Sequence, residues 1–321
     1  MFQKLMQFLQ KNIFDKYNAQ NSMKANKLVV YGIVILSMVF WSMTYIWYKI
    51  VFVQLNPITV MTFRLGISAF TLVIFSLIIK KFQIPTKSDF FWFVILSIFQ
   101  PFLYFLAESY GVSLVSSTVS AVIISTIPIF TPIVAYLFLN DKISRLNIIG
   151  IVISFIGVIM VVLGKDFYFS GSIKGIILLF CAVLSALGYA VVIVRLTHKY
   201  NSFTIISWQN IIGTLMFLPL FFIFDFNEFR FSHFTDVIIV NILYLAILGS
   251  SVAYVFFTYA IKNIGITKAS LFTNLIPVFT AIFAYYFLKE ELSLYKIIGV
   301  LVVVFGLFLG QTKSIKVLFK R

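Results

Sequence analysis

Ser125 to Gly150 reads STIPIFTPIVAYLFLNDKISRLNIIG, and 149 residues later Asn274 to Gly299 reads NLIPVFTAIFAYYFLKEELSLYKIIG. With Pro128 set against Pro277, the two agree without a gap at Ile127, Pro128, Phe130, Thr131, Ile133, Ala135, Tyr136, Phe138, Leu139, Ser144, Ile148, Ile149 and Gly150. Thirteen identities in the twenty-four positions from Ile127 to Gly150 exceed what shared apolar composition produces. The chain reads as two copies of one design, and such self-similarity decides the fold before any local signal does. A weaker match links Thr59-Val60-Met61-Thr62-Phe63-Arg64 with Thr204-Ile205-Ile206-Ser207-Trp208-Gln209.

The copies are apolar throughout. Hydrophobic residues make up 61% of the 321 and charged residues 11%, with a mean hydropathy of +1.06; a soluble domain carries roughly 25% charged residues. Most of the chain therefore has lipid as its solvent. Ten apolar segments are read, over residues 28–48, 57–79, 90–110, 115–139, 146–164, 173–195, 203–224, 236–261, 267–288 and 294–312. Each is about the 20 residues a helix needs to cross a ~30 Å hydrocarbon core. None shows the period-2 alternation of barrel strands, and backbone in lipid needs the internal bonding of a helix. The expectation is an all-α integral membrane protein of ten transmembrane helices.

Lys and Arg orient it. With the N-terminus in the cytoplasm, the cytoplasmic tails and connections hold eighteen basic residues and the opposite side six, while Arg64 lies within segment 2. That bias puts both ends in the cytoplasm. It also explains the +15 net charge without nucleic acid, because the basic residues are spread between apolar runs. Residues 1–27 read as a basic cytoplasmic segment: Phe2, Leu5, Met6, Leu9 and Ile13 suit either a helix on the membrane surface or a loose tail. No cleaved leader is expected, and Met23 is an alternative start. Residues 313–321 form a second basic tail. Because each copy, 28–164 and 173–312, holds five spans, the second begins on the opposite side of the membrane. Inverted repeats of this kind underlie many secondary transporters.

These residues resemble the drug/metabolite transporter superfamily, of the ten-helix EamA type. The likeness covers about 28–312 and rests on the Pro128 and Pro277 segments with Gly150 and Gly299, on Arg64, and more weakly on Phe40-Trp41-Ser42. It implies secondary transport, commonly efflux of metabolites or amino acids across a bacterial cytoplasmic membrane, with no cofactor. An intramembrane enzyme is the rival class, and it needs a positioned nucleophile, base or metal. His198 and His233 lie in polar connections, and no HExxH, P-loop or channel-filter motif is present, so the chain is read as no enzyme.

Arg64 and Glu108 are the interior charges. Arg64 lies seven residues into segment 2 from the outer side, and Glu108 near the outer end of segment 3. They are expected in the same leaflet, where they could pair; a membrane-centre charge costs about 2.5–3.5 kcal/mol on insertion scales. The candidate substrate-binding residues are Trp41, Ser42, Tyr45, Arg64, Gln100, Tyr104, Glu108, Tyr189, Trp208, Gln209, Tyr254 and Asn274. The bland reading is that such side chains bond neighbouring helices. Pro128 and Pro277 are candidate hinges, since proline removes a helix donor, and Pro132 is a further break. Gly306 and Gly310 give a GxxxG spacing, read first as packing within a monomer and second as a homodimer contact. Cys181 reads as a small packing residue, and Asp141, Glu290 and Glu291 as solvated helix-end charges. A desolvated Glu108 would titrate, so proton exchange, solute exchange and facilitation all stay open. The partners expected are the bilayer and a small-molecule substrate.

Overall fold

A computed structural model describes residues 27–128, 130, 145–163 and 172–310. Part of the deciding stretch, with Pro132 and Asp141, lies outside the described residues, as do both tails. Besides a 3₁₀ turn at Phe231–His233 and the helical residues 127, 128 and 130, the described residues form α1 (Lys27–Val51), α2 (Pro57–Ile78), α3 (Lys87–Leu114), α4 (Ser117–Ile124), α5 (Arg145–Leu163), α6 (Ile173–Thr197), α7 (Ser202–Asp225), α8 (Asp236–Ile264), α9 (Ile266–Leu288, in four pieces) and α10 (Leu294–Gly310). Seven helices are long and apolar enough to cross a membrane, and the apolar stretches of α5 and α10 are shorter. The protein is an all-helical membrane protein.

Local chemistry sets the starts. Asn56 is extended ahead of Pro57, which opens α2 where its missing N–H costs nothing. The side chains of Thr86, Ser116, Asn201 and Thr235 accept from the N–H of Asp89, Val119, Thr204 and Ile238 to cap α3, α4, α7 and α8, satisfying donors a helix start leaves open. Several helices change pitch. α3 passes through a π-helical stretch at Ile98–Leu103, where Gln100 is extended (φ −149°, ψ 121°) before Pro101, as a residue preceding proline tends to be. α8 does the same at Leu245–Val252 without a proline. In α9 a 3₁₀ turn at Phe272–Leu275 precedes Pro277, and a turn at Ser125–Thr126 follows α4 and precedes Pro128. Both candidate hinges thus sit just after a break in the helix, at the same register.

The twofold relation is visible in the packing. α1 packs on α8 and α9, and the equivalent α6 packs on α3 and α4; α2 meets α8 as α7 meets α3. Three pairs are their own equivalents: α2 with α7, α4 with α9, and α5 with α10. Two of these pairs show their direction. At one end the Thr59 N–H donates to Asp225 (2.8 Å), and at the other the Gln83 N–H donates to Thr204 Oγ1 (3.1 Å); α2 and α7 run antiparallel. In α5 and α10 a Cβ built on Gly157 would stand 2.8 Å from the Gly299 carbonyl oxygen, and one on Gly306 2.8 Å from that of Gly150. Exchanging the copies turns one contact into the other. Equivalent helices running antiparallel mean that the copies are inverted, with the twofold axis in the membrane plane.

The glycines bring α5 and α10 to close approach inside one chain, which is the first reading of the GxxxG spacing. Gly157→Ala would place its Cβ 2.6 Å from the backbone nitrogen of Val303 and is expected to cost about 1–3 kcal/mol. Gly32→Ala, with nothing within 4 Å of the new Cβ, should instead gain up to about 1 kcal/mol of helix propensity. Thermal unfolding of the two variants in detergent checks the opposite signs.

Candidate functional site

Arg64 is 2% exposed, and everything around it follows from that burial. Its guanidinium lies over the rings of Phe105 (4.4 Å to the centroid) and Tyr48 (5.2 Å). Nη1 donates to the Tyr48 hydroxyl and Nε to Ser250 Oγ on α8. Glu108, also buried, accepts from Tyr104 (2.8 Å), Tyr45 (3.4 Å) and Tyr48 (3.4 Å). The expected pairing of Arg64 with Glu108 takes an indirect form. Among the described residues the ion pair is Lys199–Asp89, while Tyr48 stands between the two interior charges, accepting from one and donating to the other. Sequence reading missed Tyr48, although it lies one helical turn from Tyr45 on the same face. It missed Ser250 as well, whose importance depends on α8 crossing α2.

A neutral set adjoins this ionic one. Gln100 Nε2 donates to the Tyr254 hydroxyl, and Tyr254 packs edge-on to Trp41 (4.9 Å) and Phe105 (6.1 Å). Buried Gln209 accepts from the Tyr189 hydroxyl at 3.4 Å. Trp41 Nε1 is buried with no hydrogen-bond partner among the described residues, a donor available to a ligand. Equivalent turns of the two copies carry Tyr45 and Tyr189, Tyr104 and Tyr254, Arg64 and Gln209, Glu108 and Thr258. The duplication keeps the tyrosines and places both interior charges in the first copy.

Three candidate residues sit elsewhere. Trp208 lies at the end of α7 that meets the α2–α3 connection, donating to the Gln83 carbonyl (3.1 Å) and stacked on Phe82. Ser42 Oγ is committed to the carbonyls of Met38 (2.7 Å) and Ile276 (3.3 Å), so it ties α1 to the break before Pro277. Asn274 is fully buried within that break. Two other readings change. Glu290 is no free helix-end charge: it accepts from the N–H groups of Ser117 (2.8 Å) and Thr118 (3.4 Å) and from Thr118 Oγ1 (2.9 Å) at the start of α4, where orphan donors favour an anion. Cys181 is exposed on the outside of α6.

Matched polar contacts between α2 and α7 flank the site on both sides. On the face of the connections that follow odd-numbered helices, Asn56 Nδ2 donates to Glu228 (2.9 Å), and the Thr59 N–H and hydroxyl donate to Asp225 (2.8 and 2.7 Å). On the opposite face Asn201 Nδ2 donates to Gln83 (3.0 Å), and the Thr204 hydroxyl donates to the Lys81 carbonyl (2.9 Å). Asn56 and Asn201, Thr59 and Thr204, and Gln83 and Glu228 are each 145 residues apart. The second face adds the Lys199–Asp89 ion pair (2.9 Å) and the Tyr200 hydroxyl on Asp89 (3.0 Å).

The EamA-like transporter family model matches the chain twice, over residues 28–163 and 173–310. A transporter of Archaeoglobus fulgidus, described as uncharacterized, is 25% identical over 282 residues, 87% of this chain and 96% of that one. The uncharacterized transporter YetK of Bacillus subtilis is 26% identical over 73% of this chain and 72% of its own. A crystal structure 11% identical superimposes with a TM-score of 0.67 over 88% of this chain and 98% of its own, which supports the fold alone. The protein belongs to the EamA-like transporter family. It is a multi-pass membrane transporter, with the bilayer as its environment and a small molecule as the family's kind of cargo.

Tyr48→Phe removes the hydroxyl that serves both interior charges. Bonds to charged groups are worth about 1.5–3 kcal/mol, and the variant is expected to lose a comparable amount. Thermal unfolding against Tyr259→Phe, whose ring lies outside this network, measures the difference.

Proposed function

We propose that this chain is a secondary transporter that exports a small anionic or zwitterionic metabolite across a bacterial cytoplasmic membrane by alternating access between residues 28–164 and 173–312. The observation that carries the reading is Arg64, a buried guanidinium at the junction of two inverted halves. A fixed positive charge there is tolerated because hydroxyls and rings surround it, and a substrate carboxylate suits it better than a neutral hydroxyl. Trp41 Nε1 offers a second donor, and Glu108 can face a substrate amine. The substrate site comprises Arg64, Glu108, Tyr45, Tyr104, Gln100, Tyr254 and Trp41, with Gln209 and Tyr189 on the neutral side; Ser42, Asn274 and Trp208 support it from the helix contacts described above.

The paired contacts of α2 with α7 act as the two gates. Each holds one face shut, and transport separates Asn56 and Thr59 from Glu228 and Asp225 while Asn201 and Thr204 stay bonded, or the reverse. The turns before Pro128 and Pro277 take up the bending, because a helix is easiest to flex where its ladder is already interrupted. The basic bias places the N- and C-termini and the Gln83–Asn201 gate on the cytoplasmic side.

In proteoliposomes, Arg64→Ala is expected to lower flux of an anionic or zwitterionic substrate at least tenfold at normal protein levels; undiminished flux retires Arg64 as a binding residue. Reporter fusions at Lys142 and Lys289 are expected on opposite faces of the membrane. Finding both on one face would rule out the inverted arrangement.

A further inference from the structure

A crevice of about 700 Å³ runs down the outside of the bundle between α3, α6 and the end of α7. Leu103, Leu106 and Ala107 of α3, Leu178 and Cys181 of α6, and Phe224 of α7 are among its walls. Its size is that of a ligand site, yet its walls are almost wholly apolar, and no residue of the ionic set lines it. The solvent it faces is lipid.

We propose that this crevice binds one acyl chain of a glycerophospholipid, whose phosphate sits at Lys174. Three observations fix the occupant. Lys174 is exposed and lies one turn before Leu178, on the same face of α6, next beyond the wall residue nearest the start of that helix. This end of the crevice belongs to the face where α3 ends and α6 begins, and the proposed headgroup lies there. The wall on α6 runs from Leu178 through Cys181 to Ser185, and Ser185 lies eleven residues from Lys174, about 16 Å at 1.5 Å per residue. Half of a ~30 Å hydrocarbon core is about 15 Å, so a phosphate at Lys174 would put the inner end of the crevice at the depth reached by the chains of one leaflet. Its inner end is the interrupted part of α3: Ser185 Oγ donates to the Phe99 carbonyl (2.6 Å), and Phe99 and Leu103 line the wall. A chain seated there bears on the helix break that carries Gln100, from another face than Gln100, Tyr104 and Glu108. The lipid is thereby a structural partner of the site without entering it.

The test uses the full-length protein in vesicles of phosphatidylethanolamine and phosphatidylglycerol containing a small fraction of phospholipid with a photoactivatable diazirine on the acyl chain. Mass spectrometry maps the adducts. Adducts at Leu103, Leu178 and Cys181 are expected at least fivefold above those at Phe70 and Leu215, which are exposed apolar residues outside the crevice. Lys174→Glu should cut the crevice adducts at least threefold and leave those at Leu215 unchanged. Ala107→Trp, which fills the crevice, should do the same through its wall. Equal labelling of crevice and control positions overturns the proposal, as does an excess that Lys174→Glu leaves intact. So does equal labelling by a diazirine glycolipid that lacks phosphate.

Discussion

A guanidinium buried inside a membrane protein has to find its partners among the side chains around it. Arg64 meets that demand from three helices: Tyr48 on α1, Phe105 on α3 and Ser250 on α8. Glu108 balances the charge through Tyr48 instead of by direct contact. Hydroxyl bridges thus satisfy both groups without a direct ion pair between them.

The second constraint is the absence of water as a hydrophobic driving force. Helices in lipid associate through close packing and interhelical hydrogen bonds, and both devices appear twice, related by the twofold axis. Gly157 against Gly299 and Gly306 against Gly150 close α5 on α10. The Asn56–Glu228 and Asn201–Gln83 contacts close α2 on α7 at opposite ends. One face uses carboxylates and the other a carboxamide and a backbone carbonyl, so the two ends share a geometry and differ in electrostatics.

The chain by itself determined the number of copies, the helical class, the inversion and the two interior charges. Repeats and apolar length survive in one dimension, because a helix must be about 20 apolar residues long to cross lipid and a duplication leaves its register behind. It also named Tyr45, Tyr104, Tyr189, Tyr254, Gln100 and Gln209. What it did not hold was which side chains share a neighbour. Tyr48, Ser250 and the Asp225–Thr59 contact depend on helices far apart in sequence coming together. Trp208 and Ser42 resemble site residues in one dimension, but packing assigns them to a connection and to the Pro277 break. Glu290 and Cys181 changed meaning for the same reason: one meets the start of α4, and the other faces the lipid. Polarity and spacing are properties of a single strand of residues, whereas the partner that satisfies a buried charge is a property of the packed bundle, and only the tertiary structure decides it.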